Sequence, residues 1–250
     1  MDAVIFRTHK LTKDIIDNLE LLTKAVPNVF VVHDCTDRDV FRYNNISTFN
    51  FDLEDYKETG YPLAEELDIR TLLNPPPAGS RSRQIYYNPE YAQLLFWEKY
   101  PDFDNYWYIE GDVGFNGDWS DFFEMFKDNK KDLLGCAITQ YHFSEHKSIW
   151  AGLNFNCDEE YMFAMFGSIC RMSKRLIEKL HFAYSQGLHG YYESVVPTLA
   201  ALNGLEIGDF NSLENIVYTP MTINGNVFKE SWTEEYLKQS KNMLFHPVTK

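Results

Sequence analysis

Apolar and polar positions alternate from the first residues in blocks that predict strand, helix and strand. Ala3 to Arg7 is a short apolar run, and Leu11 to Val26 then sets Ile15, Ile16, Leu19, Leu22 and Val26 at helical spacing. Pro27-Asn28 breaks that helix. Val29 to Val32, built of β-branched and aromatic residues, reads as a second strand that ends in His33-Asp34. The order β-α-β predicts parallel strands beneath a crossover helix.

Further along, Ile46 to Phe51 predicts a short strand and the stretch near Leu63 to Leu73 a helix. The tract Asn74 to Ser80, with Pro75, Pro76 and Pro77 in a row, is a loop because prolines cannot donate to a helix or a ladder. Pro89 to Tyr100 places Tyr91, Leu94, Leu95 and Glu98 on a helix with proline in its first turn. Tyr106-Trp107-Tyr108-Ile109 then reads as a buried strand running into Glu110-Gly111-Asp112. Strands are expected at Asp132 to Thr139 and Ile149 to Phe155, and helices at Met172 to Phe182 and Glu193 to Asn203. The alternation is that of an α/β fold.

Composition narrows the picture. Of 250 residues, 44% are hydrophobic and 16% aromatic, enough for a substantial core and against disorder as the main state. Acidic side chains number 37 against 23 basic ones, a net charge of −14, and such a chain repels a phosphate backbone. Nucleic acid is therefore not an expected partner. Apolar runs such as Val29 to Val32 fall far short of the roughly 20 residues that cross a bilayer, and the first residues lack a secretory pattern. Cys35, Cys136, Cys157 and Cys170 show no Cys-x-x-Cys pairing, so reduced thiols in a cytoplasmic protein are the expectation. Absent too are a Gly-x-Gly-x-x-Gly run after the first strand, a Walker lysine motif and a Gly-x-Ser-x-Gly elbow. Dinucleotide oxidoreductases, P-loop NTPases and α/β-hydrolases lose their main support.

The strongest local chemistry is Glu110-Gly111-Asp112. Carboxylates at i and i+2 on extended backbone point to one side, and glycine between them removes a side chain that would obstruct a ligand. The spacing suits one divalent cation with a phosphate or ribose, at the carboxyl end of a core strand where open α/β sheets bind ligands. A polar turn after a strand has the same composition.

These residues also carry a resemblance. The strand ending in Tyr108-Ile109-Glu110-Gly111-Asp112-Val113, followed by Gly117-Asp118-Trp119, resembles the Asp-x-Asp region of GT-A glycosyltransferases, with Glu in place of the first Asp and Gly in the middle. The opening β-α-β unit ending in Asp34 is similar to their nucleotide-binding half. Gly187-Leu188-His189-Gly190-Tyr191-Tyr192-Glu193 is similar to the segment that carries the catalytic base in inverting members. His246-Pro247-Val248-Thr249-Lys250 resembles the C-terminal histidine that completes the metal site. The pieces keep the family's order across nearly the whole chain, although the acceptor half is compressed.

The resemblance implies a single GT-A-like domain over 1–250, with a mixed, mainly parallel central sheet flanked by helices. Residues 1–112 would form the nucleotide-sugar donor half and 113–250 the acceptor half with the metal-site tail. It implies a hexosyl- or pentosyltransferase that uses Mn²⁺ or Mg²⁺ and a nucleotide-diphosphate sugar, foremost a UDP-sugar, to extend a glycan or glycoconjugate. The place of action would be the cytoplasm, including the face of a membrane.

Residue by residue, Glu110, Asp112 and His246 would hold the metal, with Glu110 also placed for the ribose. Arg7, Thr8, His9 and Asp34 would face the base and ribose, and Arg81, Arg83 and Lys250 would contact the diphosphate. Glu193 would be the general base, with Asp118, Asp121 and Glu145 in reserve. Trp119 and Trp150 would stack on sugar rings, with Tyr141, His142 and Asn154 nearby for hydroxyls. Blander readings stand beside these: a glutamate in a first helical turn stabilises the helix, tryptophans are commonly core, and arginines beside a loop are commonly solvated. A non-catalytic glycan-binding module on the same scaffold is one alternative. A sugar nucleotidyltransferase is another, although Phe6 to Lys10 lacks the glycines such enzymes carry.

Overall fold

The computed structural model describes residues 1–36, 40, 42–43, 46–63, 85, 87–145, 147–220 and 243–246. Its opening unit is the expected one: β1 (Asp2–Thr8), α1 (Lys13–Ala25) and β2 (Val29–Asp34), with the two strands parallel and Val4 opposite Val29. Ile15, Leu19 and Leu22 form the buried stripe of α1. Next, β3 (Thr48–Phe51) pairs in parallel with β2. The short helix α2 (Leu53–Glu58) follows Asp52, which makes a reciprocal capping box with Asp55.

After α3 (Glu90–Lys99), β4 (Asn105–Glu110) returns to the free side of β1, parallel to it, with Arg7 opposite Glu110. The remaining elements are β5 (Gly114–Phe115), α4 (Trp119–Phe126), β6 (Leu133–Gln140), β7 (Phe163–Ser173), α5 (Lys174–Ser185), α6 (Tyr192–Leu202), β8 (Ile207–Asp209), α7 (Phe210–Glu214), β9 (Val217–Pro220) and β10 (Met243–His246). Among the described residues, the main sheet has seven strands in the order β3-β2-β1-β4-β7-β6-β8. Only β7 runs against its neighbours, so the sheet is mixed and mainly parallel. A small second sheet has the order β5-β10-β9.

Side chains alternate cleanly across the central strands. Ala3 and Ile5 of β1 with Tyr106 and Tyr108 of β4 join the core formed with α2, α3, α5 and α6. Val4, Phe6, Trp107 and Ile109 join the opposite core, formed with α1, α4 and α7. Helices cover both faces, as burial of a parallel sheet demands. The chain leaves β1 toward β2 on one side and returns to β4 on the other, so β1 and β4 flank a topological switch point. In sheets of this kind, a crevice opens there at the carboxyl ends of the strands.

Several elements differ from expectation. Ile149 to Phe155 is not a strand: Lys147–Trp150 is a short helical turn, the Leu153 N–H donates to the Trp150 carbonyl and that of Asn154 to His189. Gly152 and Asn154 interrupt the apolar run, and the ladder position belongs to β7. Met172 is accordingly strand rather than helix, and α5 begins after Ser173, whose Oγ accepts from the Leu176 N–H. Helix α4 is capped by Asp118, whose carboxylate accepts from the Ser120 N–H. The expected helix near 63–73 and the loop 74–80 lie outside the described residues, apart from 63 itself. Among the described residues, no helix is long and apolar enough to cross a membrane.

Candidate functional site

Glu110 is the last residue of β4, and the chain turns immediately after it. The Gly111 N–H donates to the Arg7 carbonyl at 2.8 Å and the Val113 N–H to the Glu110 carbonyl at 2.9 Å. From α1, the Asn18 amide donates to the carbonyls of Gly111 and Val113 at 3.1 and 2.7 Å and so holds the turn from behind. A Cβ at Gly111 would meet Thr8 Cβ and Ile15 Cγ2, each at 3.2 Å. Gly111 therefore lets the turn lie against β1 and α1, rather than clearing space for a ligand. The two acids converge through this turn and not through extended backbone.

The third member arrives from the far end of the chain. Strand β10 pairs antiparallel with β5, Phe245 opposite Gly114, while Asn116 and Met243 exchange two hydrogen bonds of 3.1 and 2.7 Å. That pairing sets His246 beside the acids. Its Nε2 lies 2.9 Å from Glu110 Oε2 and 3.2 Å from Asp112 Oδ1, and its ring packs on Phe166 at 5.7 Å. Burial alone would lower the imidazole pKa, but hydrogen bonds and charge from Asp112 and Glu110 prevail and raise it to about 10. Asp112 is half-buried, which alone would raise its carboxyl, yet His246 holds it below the usual range.

The donor set fits a divalent cation. Adjacent ligands on an octahedral ion with bonds of about 2.1 Å stand about 3 Å apart, close to the observed nitrogen–oxygen separations. One ligand atom from each of Glu110, Asp112 and His246 can be chosen so that all lie within 4.8 Å of one another. Two carboxylates and an imidazole suit Mn²⁺ better than Mg²⁺, which favours oxygen alone. Imidazole binds metals in its neutral form, so His246 would give up its proton to serve as a ligand.

No protein-family model matches the chain, and no curated protein matches it. Among solved structures, it is similar to the apo form of mouse xyloside xylosyltransferase 1. That likeness covers 100% of both chains at 7% sequence identity, with a TM-score of 0.45.

The second oxygen of Glu110 is engaged from within the fold. Arg7 Nη1 donates to the Tyr108 hydroxyl at 2.9 Å, Tyr108 donates to Glu110 Oε1 at 3.2 Å, and Arg7 Nη2 donates to the Ile85 carbonyl at 3.3 Å. Arg7 Nη1 is also 3.5 Å from Glu110 Oε1. Arg7 thus turns into the fold rather than toward a base or ribose. These three side chains share one face of the sheet, because Arg7 and Glu110 are register partners and Tyr108 sits two residues before Glu110. Strand alternation carries that signal in the sequence, since Arg7, Tyr108 and Glu110 fall on one face once β1 and β4 pair.

Glu193 occupies the first turn of α6. The β6–β7 register jumps from Gly135–Cys170 to Cys136–Phe166, a bulge that takes Gly167 out of regular pairing. The Gly167 N–H donates instead to Glu193 Oε1 at 2.9 Å. A Cβ at Gly167 would stand 2.3 Å from Tyr192 Cε1 and 3.1 Å from Glu193 Cγ, so the close approach of β7 to α6 requires glycine. Burial raises the Glu193 carboxyl to about 7; the Gly167 N–H opposes this, the Glu110 charge adds to it and His246 opposes it. Pro197 within α6 has no N–H to offer the Glu193 carbonyl one turn back.

The other expected residues divide. Thr8, His9 and Asp34 lie at or just past the carboxyl ends of β1 and β2, on the same sheet edge as Glu110, with Thr8 opposite His33. Thr8 Oγ1 donates to the Lys10 carbonyl at 2.5 Å, and Asp34 Oδ1 accepts from the Thr36 N–H at 2.9 Å. Arg81, Arg83 and Lys250 lie outside the described residues. Trp119 is 3% exposed and packed among Phe115, Phe122 and Phe123. Trp150 is 4% exposed and donates to the Phe163 carbonyl at 3.0 Å. Both indoles are core residues. Asp118 is a helix cap, while Asp121 and Glu145 are exposed. Tyr141 packs on Trp150, His142 lies 3.4 Å from Glu159, and Asn154 ties its loop to Gly187 and His189.

Proposed function

We propose that this chain is a metal-dependent glycosyltransferase that moves a sugar from a nucleotide-diphosphate sugar to a hydroxyl of a glycan or glycoconjugate, with inversion at the anomeric carbon. The observation that carries the reading is the convergence of Glu110, Asp112 and His246 at the carboxyl edge of a mainly parallel sheet, next to its switch point. A divalent cation bound there would neutralise the departing diphosphate. UDP-sugars are the donors to assay first, and Mn²⁺ the first metal.

In this reading, Thr8, His9 and Asp34 line the nucleotide side of the crevice, and Arg81, Arg83 and Lys250 supply positive charge for the phosphates. Glu193 is the general base. It takes the proton of the acceptor hydroxyl as that oxygen bonds to the anomeric carbon, while the carbon–oxygen bond to the diphosphate breaks on the opposite face. A carboxyl poised near 7 and steered by the Gly167 N–H suits that task. The acceptor would approach from the Glu193 side.

A thermal-shift panel of nucleotide-diphosphate sugars with and without Mn²⁺ tests the proposal. A ligand that binds only the folded chain raises its melting temperature by mass action. The expected result is a shift for one donor class that requires the metal; no shift with any nucleotide favours the glycan-binding module.

A further inference from the structure

The two oxygens of Glu110 live in different surroundings. Oε2 faces His246 at 2.9 Å, while Oε1 accepts from Tyr108 at 3.2 Å with Arg7 Nη1 at 3.5 Å. Tyr108 is 0% exposed, and its hydroxyl accepts from Arg7 Nη1 at 2.9 Å while it donates to Glu110 Oε1. Arg7, with a side chain 13% exposed, is tied at its other end to the Ile85 carbonyl. The clamp is built from a buried phenol and a largely buried guanidinium on neighbouring strands, and it is aimed at one carboxylate oxygen.

We infer that the Arg7–Tyr108 clamp makes Glu110 a one-oxygen ligand and thereby selects small octahedral cations against calcium. Mn²⁺ and Mg²⁺ take six ligands at short distances, and one oxygen per carboxylate satisfies them. Ca²⁺ takes six to eight oxygens and commonly draws both from one carboxylate. With Oε1 occupied, that second bond is withheld. Tyr108 and Arg7 are positioning residues here, acting on the metal through Glu110. The inference rests on the metal-binding part of the proposed function and not on glycosyl transfer.

Calorimetric titration of the full chain with Mn²⁺ and separately with Ca²⁺ tests it in wild type, Tyr108→Phe and Arg7→Met. Removing Arg7 also removes a positive charge, which strengthens binding of any divalent ion. The ratio of the two affinities cancels that effect and any general loss of stability. Wild type should prefer Mn²⁺, and loosening the hold on Oε1 should narrow the preference about tenfold in the variants, an effect of the size typical for residues behind a metal ligand. Arg7→Met is the second arm and decides the matter if Tyr108→Phe does not fold. An unchanged ratio in both variants overturns the inference, as does a wild type that prefers Ca²⁺ or binds neither ion. Selective Mn²⁺ binding with no response to any nucleotide would remove the glycosyltransferase reading and leave the clamp standing.

Discussion

Gly167 donates its backbone N–H to the carboxylate of Glu193 across 2.9 Å, from a strand whose register jumps at that point. The bulge turns a ladder amide into an anchor for Glu193 Oε1. If Glu193 is the base, kcat/KM rises with pH through about 7 as the carboxyl loses its proton. Glu193→Gln should bind donor and metal normally and show no turnover. A pH–rate profile flat between pH 6 and 8 would argue for another base.

Gly167→Ala probes the same contact without touching charge. Its Cβ would stand 2.3 Å from Tyr192 Cε1, so α6 must shift or Tyr192 must move. The expected cost is about 1–3 kcal/mol, the range for overpacking a filled interior, together with weakened turnover. Denaturant unfolding and single-turnover rates check the two effects separately.

Glu90 gives a prediction that is independent of catalysis. Its carboxyl is fully buried, accepts from the Tyr184 hydroxyl at 2.8 Å, and burial raises it to about 8 from an ordinary 4.5. Between those values the unfolded chain has released the proton and the folded chain still holds it. Stability from this group is therefore undiminished below about 4.5 and falls as pH rises to about 8. Glu90→Gln should remove that slope, so its melting temperature gains on wild type steadily from pH 5 to pH 8. Parallel curves for the two proteins would mean that Glu90 is ionised in the fold.

The opening unit and the strand through Trp107 are more legible in the sequence than the rest, for physical reasons. The first β-α-β unit was legible because β-branched runs flank a helix with a regular apolar stripe, Ile15, Leu19 and Leu22. The strand through Trp107 was legible for its aromatic density, and Glu110, Asp112 and His246 for their order along the chain. Strand β7 was hidden because Ala164, Met165, Gly167 and Ser168 have neither β-branching nor alternation. Helix α2 has six residues, too few to show a period. The turn that brings Asp112 beside Glu110 depends on Asn18, and a lone asparagine on a helix gives no sign of a partner so far along the chain.

That asparagine is itself testable. Asn18→Ala deprives the Gly111 and Val113 carbonyls of a donor, at a cost of about 1–3 kcal/mol if water does not replace it. Because the turn sets Asp112, Mn²⁺ affinity should fall in parallel. Loss of stability with unchanged metal affinity would show that the turn keeps its shape without Asn18.

The central claim is that one cation, held by Glu110, Asp112 and His246, couples this chain to a nucleotide diphosphate. Titration of UDP into wild type and Asp112→Ala, each with and without Mn²⁺, addresses it most directly. The account predicts binding only in wild type with Mn²⁺ present, while Asp112→Ala stays folded and takes up no UDP. Equal UDP affinity with and without the metal, or in the Asp112→Ala protein, would contradict it.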